Sequence, residues 1–106
     1  MTEDNMKFVN VLLNLGDGYN RNTGLFTAPI DGVYSFTAQV CNNEDMSVQI
    51  RTNHSIVAYT QLLTSNIIVC GATTGVVLLD KGDVVGVFVY VRVQQSGYNQ
   101  FIGHLI

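Results

Sequence analysis

The stretch Asn14–Phe36, NLGDGYNRNTGLFTAPIDGVYSF, decides the fold of this 106-residue chain. Two turn zones frame a short strand there and then launch a longer one. The first zone runs from Gly16-Asp17-Gly18 to Asn22-Thr23-Gly24, and the second is Pro29-Ile30-Asp31-Gly32, with the only proline of the chain. Gly tolerates positive φ, Asn and Asp bond their own backbone, and Pro presets φ for a turn. From Gly32 the pattern alternates: Tyr34, Phe36, Ala38 and Val40 share one face, and Ser35, Thr37 and Gln39 share the other.

Outward from this stretch, β-branched and apolar segments recur between turn signals every eight to twelve residues, and helical periodicity is hard to find. Strands are expected near 7–15, 24–28, 32–41, 46–53, 55–63, 66–80, 83–93 and 99–106. Asn42-Asn43-Glu44-Asp45 and Thr52-Asn53-His54 turn the chain, and Asp80-Lys81-Gly82-Asp83 makes a hairpin. The expectation is an all-β sandwich in a single domain, residues 1–106.

The strands flanking that hairpin do not alternate. Val76, Val77, Leu78 and Leu79 are apolar on both faces, as are Val84, Val85, Val87, Phe88, Val89 and Val91. An antiparallel strand with one wet face should be polar at every second position. Charge is scarce as well, at 12% of residues against about 25% in typical soluble domains. From Thr52 to Leu79, 28 residues pass without Asp, Glu, Lys or Arg. A core with a Ser/Thr/Asn surface is one reading of this stretch; the reading preferred here is that part of it faces another subunit.

The net charge of −3 and the scattered Lys7, Arg21, Arg51, Lys81 and Arg92 argue against a nucleic-acid partner. Polar residues interrupt every apolar run, which argues against membrane insertion by a helix. The start, MTEDNMKF, has no basic n-region or apolar h-region, so no signal peptide is expected in it.

The turn-and-strand stretch also carries a resemblance. Asn14, Gly16, Tyr19, Asn20, Thr23, Gly24, Phe26, Ala28, Pro29, Gly32, Tyr34 and Phe36 form N-x-G-x-x-Y-N-x-x-T-G-x-F-x-A-P-x-x-G-x-Y-x-F. Leu79-x-x-Gly82-Asp83-x-Val85-x-Val87 and Phe101-x-Gly103-x-Leu105-Ile106 follow it. Together these resemble the globular domain of the complement C1q family across almost the whole chain. The resemblance implies a jelly-roll β-sandwich of two antiparallel sheets, like that of tumour necrosis factor, assembled as a homotrimer. It also implies a secreted, extracellular and non-catalytic recognition module. Its partners would be carbohydrate, lipopolysaccharide or a protein receptor, and innate pattern recognition is the expected role. The alternatives are a cytokine- or adhesion-like ligand for a cell-surface receptor and a structural matrix protein.

The chain departs from the family pattern in three ways. Only Met1–Met6 precede the segment matching Lys7–Leu15, so the first strand is expected to be missing or shortened. No collagen-like Gly-X-Y stalk is present. The positions corresponding to the family's apical calcium ligands fall at Gln61 and Val69. Calcium takes carboxylate and carbonyl oxygens, so no cofactor is expected.

In the family sandwich the strands ending at Cys41 and starting near Cys70 are antiparallel neighbours. This permits a disulfide, stabilising by roughly 3–4 kcal/mol in the chain-entropy model. Two buried free thiols are the alternative, and a link between subunits through Cys70 is a third. Asn53-His54-Ser55 is a glycosylation sequon in an expected turn. His54 and His104 are not spaced as metal ligands, and His104 is expected to be a packed ring. No nucleophile–base constellation or catalytic motif occurs, and Asp31, Asp80 and Asp83 have turn roles. Candidate ligand-binding residues in exposed loops are Arg21, Arg51, Gln94, Gln95, Tyr98 and Asn99; Tyr98, flanked by Gln and Asn, is compatible with stacking on a sugar ring, although an ordinary polar loop is the preferred reading there.

Overall fold

Alternation of apolar and polar residues dictates strands, and in the computed structural model the described residues form ten strands and no helix. The structure describes residues 4–8, 10–13, 18–53, 55–63, 67–89 and 99–106. The strands are β1 (Asp4–Asn5), β2 (Asn10–Leu13), β3 (Tyr19–Asn20), β4 (Leu25–Thr27) and β5 (Gly32–Asn42). They continue with β6 (Met46–Thr52), β7 (Ile56–Leu62), β8 (Val69–Leu79), β9 (Val84–Val89) and β10 (Gln100–Leu105). One sheet has the order β3-β4-β9-β6-β7, with β1 also paired to β9, and the other has β2-β10-β5-β8. Pairing is antiparallel except between β2 and β10, which run parallel. The two sheets stack as a jelly-roll sandwich.

The core is aromatic because the alternation that begins at Tyr34 aims rings inward. Tyr34, Phe36, Ala38 and Val40 are all buried. Phe36 stacks on Phe101 with centroids 5.7 Å apart, and Phe26 meets Phe36 edge-on at 5.2 Å. Phe8 extends the stack from Phe101. Each fully buried ring contributes about 1.5–3 kcal/mol of apolar transfer. The Tyr34 hydroxyl donates to the Ile30 carbonyl at 2.7 Å, which satisfies its one buried polar group.

The turns are built as their residues suggest. Asn20 Oδ1 accepts from the Asn22 N–H, and the Asn20 carbonyl accepts from the Gly24 N–H, closing the β3–β4 hairpin. Gly24 has φ 73°, and a Cβ there would lie 2.5 Å from the Met6 carbonyl oxygen, so only glycine fits. At the β8–β9 hairpin, Asp83 Oδ2 accepts from the Asp80 N–H and Asp31 Oδ1 accepts from the Lys81 N–H. Asp31 and Asp83 are therefore turn acids, and Asp80 closes the hairpin through its carbonyl.

The structure resolves the two strands that fail to alternate in different ways. On β9, Val85, Val87 and Val89 are core, while Phe88 on the other face lies under the Arg51 guanidinium, 4.5 Å from its ring centroid. The second face of β9 is thus partly covered within the chain. On β8, Leu79 is buried, but Val76 and Leu78 are 59% and 72% exposed.

Candidate functional surfaces

A sandwich of this kind offers two outer sheet faces and two sets of loops, and strand register assigns residues to each face. Directly opposed residues of an antiparallel pair point the same way. In the four-stranded sheet, Val33 opposes Leu78, Ser35 opposes Val76 and His104, and Thr37 opposes Thr74 and Ile102. All of these point away from the core. Ile106, whose N–H donates to the Val33 carbonyl, joins them and is 71% exposed. The Thr37 and Thr74 hydroxyls bond each other at 2.8 Å, so the polar centre of this face satisfies itself. No Asp, Glu, Lys or Arg points outward from the described strands of this sheet. His104 stands exposed on it, which corrects the expectation of a packed ring.

The opposite outer face, on the larger sheet, has different chemistry. Gln49 on β6 lies between Phe88 of β9 and Tyr59 of β7 in register. Its Oε1 accepts from Arg51 Nε at 2.7 Å, and Gln49 is only 8% exposed. The ladder slips between Ile50 and Arg51: Ile50 opposes Ala58 and Arg51 opposes Ile56, leaving Val57 extra. Such a bulge twists a strand locally and re-aims a side chain. Here it accompanies the turn of Arg51 onto Phe88. Tyr59 is 54% exposed, with Gln61 two residues along the same face.

The residues expected at a ligand surface are not gathered into one site. Arg21 is exposed in the β3–β4 hairpin and Arg51 sits on the outer sheet face. Gln94, Gln95 and Tyr98 lie outside the described residues, as does His54. Asn99 is a correction. Expected in an exposed loop, it is 2% exposed, and its Oδ1 accepts from the Cys41 N–H at 2.9 Å. A backbone N–H buried at the end of β5 needs such an acceptor, so Asn99 is structural. The outer-face row Phe88–Gln49–Tyr59 was not singled out from sequence. Its signal is the polar half of the alternation in 46–52 and 56–62, which becomes informative only once register is known.

Cys41 and Cys70 are directly opposed on β5 and β8, with Cα atoms 4.0 Å apart, and are joined as a disulfide. Both cysteines of the chain are therefore used within it. Asn53 lies exposed in the β6–β7 turn, and its Oδ1 accepts from the Val84 N–H at 3.4 Å. Gln61 is exposed on the outer face of β7, while Val69 opens β8 and packs partly against the core. Among the described residues, no group of three or more His, Cys, Asp or Glu is placed to hold a metal ion. None of their elements is a helix long and apolar enough to cross a membrane.

Tyr19 closes the core beside Phe101, with centroids 5.4 Å apart, and its hydroxyl accepts from the Phe8 N–H at 2.9 Å. Burial pushes its phenol above the ordinary tyrosine value, partly offset by that N–H and by the nearby Arg21 charge.

Comparison with known proteins agrees with this architecture. The fold matches the globular domain of zebrafish complement 1qA protein with a TM-score of 0.52. The match covers 94% of this chain and 84% of that one at 16% sequence identity, a likeness of fold. The family model of the C1q domain matches residues 1–106, the span over which the turn motifs, the aromatic core and the terminal strand are distributed. With its jelly-roll built on those residues, the chain belongs to the C1q domain family.

Proposed function

We propose that this C1q domain is a secreted recognition module that assembles as a homotrimer and binds glycans of microbial or self surfaces in innate immunity. The family is one of non-catalytic, generally extracellular ligand-binding domains. The observation that carries the finer reading is the contrast between the two outer faces. One is uncharged and exposes Val33, Val76, Leu78 and Ile106; the other carries amides, aromatics and a guanidinium beside one exposed aliphatic residue, Ile56. Exposed apolar clusters of this kind seek burial against a partner, and a threefold assembly of identical chains buries one face of each. The second face then remains open to ligand, repeated in each subunit, which raises avidity for repetitive surfaces.

The test is a glycan array probed with the purified protein, followed by competition with free sugar. Saturable binding that free sugar displaces supports the reading. A blank array together with no binding to whole bacteria overturns it, and would favour a protein receptor as the ligand.

A further inference from the structure

Of the ten asparagines in the chain, only Asn53 has a Ser or Thr two residues on, in Asn53-His54-Ser55. Such a triplet, with no proline between, is an acceptor for N-linked sugar. Place in the fold decides whether a bulky glycan fits there. Asn42 and Asn99 are buried, at 6% and 2% exposure, and Asn20 braces the β3–β4 turn through its Oδ1. Asn53 instead lies just past the end of β6, and both it and Ser55 are exposed.

The turn keeps its closing bonds when Asn53 carries a sugar. The Thr52 N–H donates to the Ser55 carbonyl at 2.8 Å, and the Ser55 N–H donates to Thr52 Oγ1 at 3.0 Å. On the Ser55 side both use backbone atoms. The link across to β9 runs from the Val84 N–H to Asn53 Oδ1 at 3.4 Å. A side-chain amide has one acceptor oxygen and two N–H groups. Exchanging one hydrogen on nitrogen for a sugar leaves the oxygen and the second N–H, so the link to Val84 survives. Transfer of this kind acts on chain that has not yet folded, and the partners of the folded amide do not bar it.

We infer that Asn53 is an N-glycosylation site of this protein. Its modification rests on the secreted reading above, because the donor belongs to the secretory path. That donor is an oligosaccharide carried on a polyisoprenyl diphosphate. The Asn53 nitrogen bonds to the anomeric carbon, the bond from that carbon to the diphosphate oxygen breaks, and the diphosphate leaves with the electron pair. The amide gives up one proton. The glycan then stands at the rim of the larger sheet, next to Ile56, whose 57% exposed side chain it shields. It lies away from the uncharged face of the smaller sheet and remains accessible if that face is buried.

The intact chain, expressed behind a cleavable secretory leader in cultured eukaryotic cells, makes the test. Protein from the medium should weigh more than its polypeptide. Peptide N-glycosidase should remove the excess and leave aspartate at the modified position in a peptide map. Ser55→Ala keeps every turn bond described above and should appear in the medium, folded by thermal melting, at the polypeptide mass. Ser55→Thr should restore the heavier form.

Three results would overturn the inference. Folded wild-type protein in the medium with Asn53 unmodified means that the triplet is not used. Excess mass that persists in Ser55→Ala places the sugar elsewhere. The protein from its own source gives the third: extracellular and unmodified at Asn53, it overturns the site and leaves the secreted reading standing. Intracellular and unmodified, it overturns both.

Discussion

Asn99 shows how a single polar side chain changes meaning once its neighbours are known. In the sequence it follows Gln94, Gln95 and Tyr98 and reads as loop; in the structure it caps the Cys41 N–H from a buried position. Asn99→Ala would leave that N–H without its acceptor, at a cost of about 1–3 kcal/mol. A denaturant midpoint unchanged within error would show that solvent or another group replaces the amide. Tyr19 yields a prediction about pH. Its folded value is raised, mainly by burial, so its contribution is complete below the unfolded tyrosine value and lost as pH rises through the folded one. Tyr19→Phe should therefore show less alkaline destabilisation above about pH 10 than the wild-type protein. Below that pH it should be about 1 kcal/mol less stable, because the Phe8 N–H loses its acceptor. Parallel denaturant midpoints of the two proteins from pH 8 to 11 would expose the opposite ordering.

At the scale of elements, long strands with one wet face were legible and short ones were not. The stretch 32–41 gave β5 nearly to the residue, because four inward apolar positions in strict alternation admit one register. The hairpin at Asp80–Asp83 was equally clear, since its acids serve the turn backbone. β1 and β3 span two residues each, too few for a period to show, and β3 sits inside what reads as a continuous turn zone. The parallel pairing of β2 with β10 was hidden as well, because partners in a sheet are chosen by packing between distant segments. The cross-strand disulfide binds the far ends of β5 and β8 with a sequence separation of 29. For a loop of that length, closing entropy predicts about 3.5 kcal/mol of stabilisation. The double variant Cys41→Ala/Cys70→Ala should lose an amount of that order in chemical denaturation while keeping its strand content by circular dichroism. A loss below about 1 kcal/mol would mean the reduced chain is already restrained there.

For the molecule as a whole, the 28-residue run without Asp, Glu, Lys or Arg is expected to lie partly against another subunit, and the single chain leaves several apolar side chains of that run exposed. Its apolar surplus falls in two places: β8 exposes Val76 and Leu78 on the smaller sheet, beside Val33 and Ile106, and Ile56, Leu63, Ile67 and Ile68 are exposed on β7 and between β7 and β8. Sequence could not assign the β8 residues to a face, because β8 is apolar on both sides and only its register with β5 separates inner from outer. The assignment makes the proposed homotrimer testable one face at a time. Leu78 is 72% exposed, so Leu78→Lys should leave the fold of a single chain nearly untouched, within about 0.5 kcal/mol. In an assembly through this face the same lysine would be buried without a partner, which is strongly unfavourable. Sedimentation at micromolar concentration should therefore give a trimer for the wild-type protein and a folded monomer for Leu78→Lys. Ile56→Lys, an equally drastic change on the outer face of the larger sheet, should sediment as the wild type does. A wild-type monomer would refute the assembly outright. Dissociation by Ile56→Lys with Leu78→Lys intact would move the interface to the face on which Arg51 and Tyr59 lie, and would close that face to any sugar.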